Sequence, residues 1–222
     1  MLFDLRSRRR RGAVKVIYLG LAILIGGGLV LFGVGTGTGG GLLNGIGGGG
    51  GGGGHAVVSQ QQRSALRLVR ANPSSPAGWA ALVQADWAAA NQAPNLNSAT
   101  GVFTAAGRRD LEGVSKGFAK YASLVSRPDP NISILAARAN VILRSWAAAA
   151  SAWNYVAAAE PSAPSAFECL ALTAYAAGQT QKANLAYAKA ISLFPKASKF
   201  ELTQQLKAAK SQPAAAAAQL CS

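Results

Sequence analysis

The sequence predicts an all-α protein: a transmembrane helix near the N-terminus, a glycine-rich linker, then a body of antiparallel helix pairs with a capping helix. Three observations predict it. A basic run precedes a long uncharged apolar stretch; 20 of the 26 glycines fall before residue 55; and beyond that point alanine dominates, with apolar residues recurring at helical rather than alternating spacing.

The basic segment is residues 1–15, where Arg6, Arg8, Arg9, Arg10, Arg11 and Lys15 face a single acid, Asp4. It leads into the span, residues 16–34, which carries no charge. At a rise of about 1.5 Å per residue this stretch is roughly 28 Å long, the thickness of a bilayer's hydrocarbon core. No Lys or Arg occurs from Gly35 to Gln62, so the positive-inside rule places the N-terminus in the cytoplasm and the rest outside, as a single-pass protein of the cytoplasmic membrane. A cleaved signal peptide would also begin with a basic and an apolar segment, but the exit Gly35-Thr36-Gly37-Thr38-Gly39 offers no Ala-x-Ala site. Gly26, Gly27 and Gly28 lie mid-span, where small residues either reflect ordinary membrane-helix composition or let a second membrane helix approach.

Residues 35–55 form the linker, whose eight consecutive glycines, Gly47 to Gly54, cannot hold a unique fold against backbone entropy. His55, with no second ligand near it in sequence, reads as solvated linker.

Residues 56–211 form the helical body and residues 212–222 an Ala-rich tail expected to fray. Within the body, Glu160-Pro161 and Phe194-Pro195 stand one 34-residue interval apart. A unit opening at Pro164 and closing at Pro195 has large residues (Phe167, Leu170, Tyr187) and small ones (Ala171, Gly178, Ala183, Ala190) at places where two helices must respectively fill a gap and approach closely. The unit from Pro130 to Pro161 keeps Ala137, Trp146, Ala149 and Trp153 but has Ser133, Ala136 and Arg144 where an aromatic, a Leu and a Gly are expected. An earlier unit opens at Pro76 with Trp79 and Leu82, and its second helix, carrying Phe118 and Tyr121, is delayed by the insertion Gln92 to Phe103. Val58 to Ala71 precedes it as a further helix, and Ala197 to Ser211, with Phe200, Leu202 and Leu206, is expected to cap the last face.

These residues resemble the tetratricopeptide repeat family, and the plan as a whole resembles the single-pass membrane tetratricopeptide proteins of high-GC bacteria. In layout it is also similar to translocon-associated ancillary proteins of the bacterial inner membrane. The resemblance implies a short α-solenoid whose concave face, lined by the first helix of each pair, holds proteins or peptides. Carried over position by position, that groove comprises Gln84 and Trp87, then Asn131, Arg138 and Val141, then Glu168, Leu172 and Tyr175. Trp87 and Tyr175 each lie one place after a family position, so they also read as ordinary core. The Asn and Lys clamp with which some family members grip a C-terminal carboxylate is not found at these positions.

One His, two Cys and eight acids leave little with which to build acid–base, nucleophilic or metal chemistry, so the composition argues against an enzyme and implies no cofactor or metal. Beyond residue 15 the chain carries 16 Lys and Arg against 7 Asp and Glu, a net +9 that could serve nucleic acid, but the expected topology argues against that partner; anionic lipid head groups or acidic clients suit it better, and a generally solvated basic surface suits it best. Arg63, Arg67 and Arg70 share one helix face that could rest on a membrane. Cys169 and Cys221 either pair, fastening the tail across the third unit, or stand apart as a small core residue and a residue of a loose end. The expected function is a membrane-tethered interaction module on the extracytoplasmic face, with a structural subunit of an envelope or secretion assembly as the rival.

Overall fold

The computed structural model describes residues 53–195 and 199–222. The basic segment, the expected span with Gly26–Gly28, and the linker as far as residue 52 lie outside the described residues. Among those described, no helix is long and apolar enough to cross a membrane. The chain from Gly54 onward forms one compact unit, predominantly helical, as its alanine content and 3.6-residue periodicity predict.

In chain order the helices are α1 (Gly53–Ala71), α2 (Pro76–Ala90), α3 (Ala105–Leu124), α4 (Pro130–Ile142) and α5 (Trp146–Ala159). They are followed by α6 (Pro164–Ala176), α7 (Thr180–Leu193), α8 (Lys199–Ser211) and α9 (Pro213–Leu220). Helix starts follow local chemistry. Pro76, Pro130, Pro164 and Pro213 open their helices where a missing N–H costs nothing. Ser75, Thr104 and Asp129 cap α2, α3 and α4 by accepting from the backbone N–H of Gly78, Gly107 and Asn131 at 3.3, 3.3 and 2.7 Å.

The two pairs α4–α5 and α6–α7 repeat at one interval. Each of the four bounds of the first pair, Pro130, Ile142, Trp146 and Ala159, is followed 34 residues later by the matching bound of the second: Pro164, Ala176, Thr180 and Leu193. Burial follows the same register. Ala137 and Ala171 are fully buried, as are Ala149 and Ala183, where helices approach closely. Trp153 is buried, and its counterpart Tyr187 is half-buried, donating its hydroxyl to the Thr203 carbonyl at 3.2 Å. Leu170 is buried and Phe167 half-buried, whereas Ser133 and Ala136, the small residues in their places one unit earlier, are wholly buried. Pro195, after α7, is exposed.

The pair α2–α3 stacks on α4–α5, and the two pairs α4–α5 and α6–α7 on each other, around one continuous core that includes Val83, Leu111, Val114, Phe118, Tyr121, Val141, Val156 and Leu172. α1 adds a smaller cluster in which Ala65 and Val69 meet Leu82 and Ala85, with Trp79 bridging to the main core. Trp79 also donates its indole N–H to the Pro73 carbonyl at 2.8 Å, closing the α1–α2 turn. The insertion between α2 and α3 folds into a minimal hairpin, β1 (Leu96–Asn97) pairing antiparallel with β2 (Val102–Phe103); among the described residues these four are the strand residues of an otherwise helical body.

Three expectations are corrected. α1 begins at Gly53, so Gly53, Gly54 and His55 belong to a helix rather than to the linker; extending a helix already packed by Val58, Ala65 and Val69 needs no new nucleus. Phe200 does not cap the stack: it is 76% exposed, and the side chains of Leu202 and Leu206 lie outside those described. The tail does not fray. Its residues form α9, which lies along α6 and reaches α4, with Ala217 wholly buried. Alanine side chains are small enough for this close approach, and a Cys169–Cys221 disulfide, Cα to Cα 5.6 Å, fastens the end.

Candidate functional site

α2 and α4, the first helices of the first two pairs, lie beside one another and open onto a cavity of about 510 Å³. Trp87 and Asn91, at the end of α2, form one wall. Arg138, Val141 and Ile142 of α4, with Arg144 just beyond it, form the facing wall. Gly101 and Phe103 of the hairpin close one side, Ala218 and Ser222 of the tail another. Arg138 and Val141 project together because residues three apart share a helix face; Val141 is buried beneath while the Arg138 side chain is exposed.

Three of the eight expected groove residues therefore border this cavity, Trp87, Arg138 and Val141, of which Val141, 1% exposed, is core and no more available to a partner than Leu172. Gln84 and Asn131 are exposed but do not line it. The third-unit residues lie elsewhere. Leu172 is 1% exposed, inside the core, and is not available to a partner; this corrects its placement in the groove. Glu168 is half-buried, and that burial pushes its carboxyl above the usual carboxylate range. Tyr175 is engaged within the chain, its hydroxyl on Asn184 and its ring 4.8 Å from the Lys210 ammonium. The physical reason is local packing: Leu172 faces the core, and α7 and α8 supply the groups that engage Tyr175.

Sequence reasoning missed Asn91, Phe103, Ile142 and Arg144 as lining residues. Phe103 comes from the insertion, whose fold has no counterpart in the repeat. Arg144 was legible as a departure from glycine in the 34-residue register, though not as a group facing a cavity. A second, more apolar cavity of about 430 Å³ lies between α5, α6 and α7, bounded by Phe167, Leu170, Lys182, Leu185 and Ala186; Leu185 is 69% exposed.

A polar cluster ties α1 to α2 and α3. The Gln62 side-chain amide donates to Asp86 at 3.0 Å and to Asp110 at 3.3 Å, and Asn95 donates to Asp110 at 2.9 Å. Burial pushes the Asp86 carboxyl up to about 6; the Gln62 hydrogen bond opposes this and the neighbouring Asp110 charge adds to it. Among the described residues no group of three or more His, Cys, Asp or Glu is placed to hold a metal ion. No family model matches the sequence, and no curated protein or solved structure matches it.

Proposed function

We propose that the chain is a membrane-tethered protein-interaction module of tetratricopeptide type, holding protein partners or translocating clients at the outer face of the cytoplasmic membrane. The observation that carries this reading is the 34-residue recurrence of both bounds of both helices in α4–α5 and α6–α7, with an open cavity where Trp87 and Arg138 converge. Two antiparallel helices of this period stack into a scaffold that presents a concave surface. The tether and outward topology are supported by the basic residues before Val16, the uncharged stretch after them, and a disulfide of the kind that persists in oxidising compartments.

The test is copurification of the full-length protein from membranes. The module should bring down several proteins below equimolar yield, and an Arg138→Glu, Trp87→Ala double variant that melts like wild type should lose them. An unchanged set at unchanged yield in that variant overturns the reading. External protease on spheroplasts should cleave the Gly tether; protection until lysis overturns the topology.

One observation favours the rival, a permanent subunit of an envelope or secretion assembly. Leu185 and Phe200 are 69% and 76% exposed near the last helix pair, apolar area that a fixed neighbour would cover. Copurification of a few proteins at fixed stoichiometry would select it.

A further inference from the structure

Arg144 occupies left-handed backbone, φ +58°, a conformation that suits glycine and is unfavourable for a residue with a Cβ; in the next pair the same place holds Gly178. Packing gives no reason for an arginine there. Its side chain is exposed and, among the described residues, neither it nor Arg138 is paired with a carboxylate. What Arg144 does reach is the cavity, whose other basic side chain is Arg138. Strained backbone that persists without a packing role points to a site.

Two arginines lining one concave space can bind an anion more strongly than either would on an open surface, and the planar fork of a guanidinium matches a carboxylate. The walls beside them are Trp87, Phe103 and Ile142, which suit an apolar side chain, and Asn91, whose side-chain amide donates to the Trp87 carbonyl at 2.8 Å and whose oxygen can accept from a peptide N–H. A volume of about 510 Å³ falls in the range of built ligand pockets.

We propose that this cavity recognises an acidic peptide segment of the partner, a carboxylate side chain lying between Arg138 and Arg144 and an adjacent apolar side chain against Trp87 and Phe103. The inference rests on reading this face as a protein-binding surface and adds the class of ligand it takes. The Cys169–Cys221 disulfide holds the tail that supplies the remaining wall, Ala218 and Ser222.

The test uses full-length protein in nanodiscs and a fluorescein-labelled Phe-Asp-Glu-Phe-Asp peptide, followed by anisotropy, with a Phe-Lys-Lys-Phe-Lys peptide as control and inorganic phosphate as competitor. Wild type should bind the acidic peptide saturably and more weakly as salt rises. Arg144→Gly and Arg138→Gln should each weaken binding at least tenfold. Arg144→Gly is the decisive variant because it relieves backbone strain: its melting temperature should match or exceed wild type, so lost affinity is not lost folding. Four results overturn the proposal: no saturable binding by wild type, equal binding of the lysine peptide, unchanged affinity in Arg144→Gly, or displacement by phosphate at concentrations no higher than the peptide's, which marks a free-anion site. Copurified partners that persist in Arg144→Gly, with no peptide binding, remove the acidic-peptide proposal and leave the interaction module standing. Arg144-dependent peptide binding with no copurified partner does the reverse.

Discussion

Arg144 and Gly178 lie 34 residues apart and share left-handed backbone, φ +58° and +72°. The turns around them make the same hydrogen bonds: Leu143 N–H to Ala139 and Ser145 N–H to Asn140 in one, Ala177 N–H to Thr173 and Gln179 N–H to Ala174 in the other, all between 2.8 and 3.0 Å. One turn is thus built from two sequences, only one of which suits it. Arg144→Gly should therefore raise stability by about 1 kcal/mol. Gly178→Ala should lower it by about 1 kcal/mol, a backbone cost alone, because a Cβ there meets nothing within 4 Å. Urea titrations of the two variants check both signs; equal midpoints would contradict the shared conformation.

Asp86 makes stability depend on pH. Its carboxyl titrates near 3.8 when unfolded and about 6 when folded, so the folded state binds the proton more tightly. The contribution is fully present below pH 4 and is lost as pH rises through 6. Because the group is not wholly shielded from water, the loss should be about 1–2 kcal/mol rather than the full shift. Thermal melts should be higher at pH 5 than at pH 7.5, and Asp86→Asn should flatten most of that slope. Glu168, also raised by burial, acts in the same direction.

The Cys169–Cys221 bridge spans 52 residues, and closing a loop of that length should stabilise the chain by about 2–4 kcal/mol. Reduction, or a Cys169→Ala, Cys221→Ala double variant, should lower the melting temperature and release α9. Limited proteolysis then cuts between residues 212 and 222; a tail equally resistant in both redox states would mean that packing of Ala217 alone holds it.

Core substitutions test the register. Leu170→Ala, at a buried position, should cost about 2–5 kcal/mol. Ala183→Leu, at a wholly buried helix contact, should cost about 1–3 kcal/mol by overpacking. Tyr187→Ala, at a half-buried position, should fall below the Leu170 value. Wild-type melting in all three would remove the 34-residue alignment.

The repeat was legible because its information is local. Pro130 and Pro164 mark helix starts, Gly178 a helix end, and Ala137, Ala149, Ala171 and Ala183 the close contacts, each a residue type with one strong backbone or packing preference. The tail was not legible. A run of alanines carries helix propensity but no pattern to say what it packs against, and Cys169 and Cys221 leave pairing open until their Cα atoms are placed 5.6 Å apart. The third-unit groove residues were lost for a different reason: Leu172 is core, and Tyr175 is engaged by Asn184 and Lys210. The convergence of Asp86 and Asp110 on the Gln62 amide was equally hidden, since α2 and α3 bring together residues separated by an insertion of unfamiliar fold.

If partners are held at the cavity between α2 and α4, they should crosslink there. Site-specific photo-crosslinking tests this, with the reactive residue placed in the full-length protein at Trp87 and, as a control, at Leu185 in the second cavity. Partner adducts are expected from position 87, disappearing with Arg138→Glu, and few or none from position 185. Adducts from position 185 alone, or from position 87 undiminished by Arg138→Glu, would contradict it.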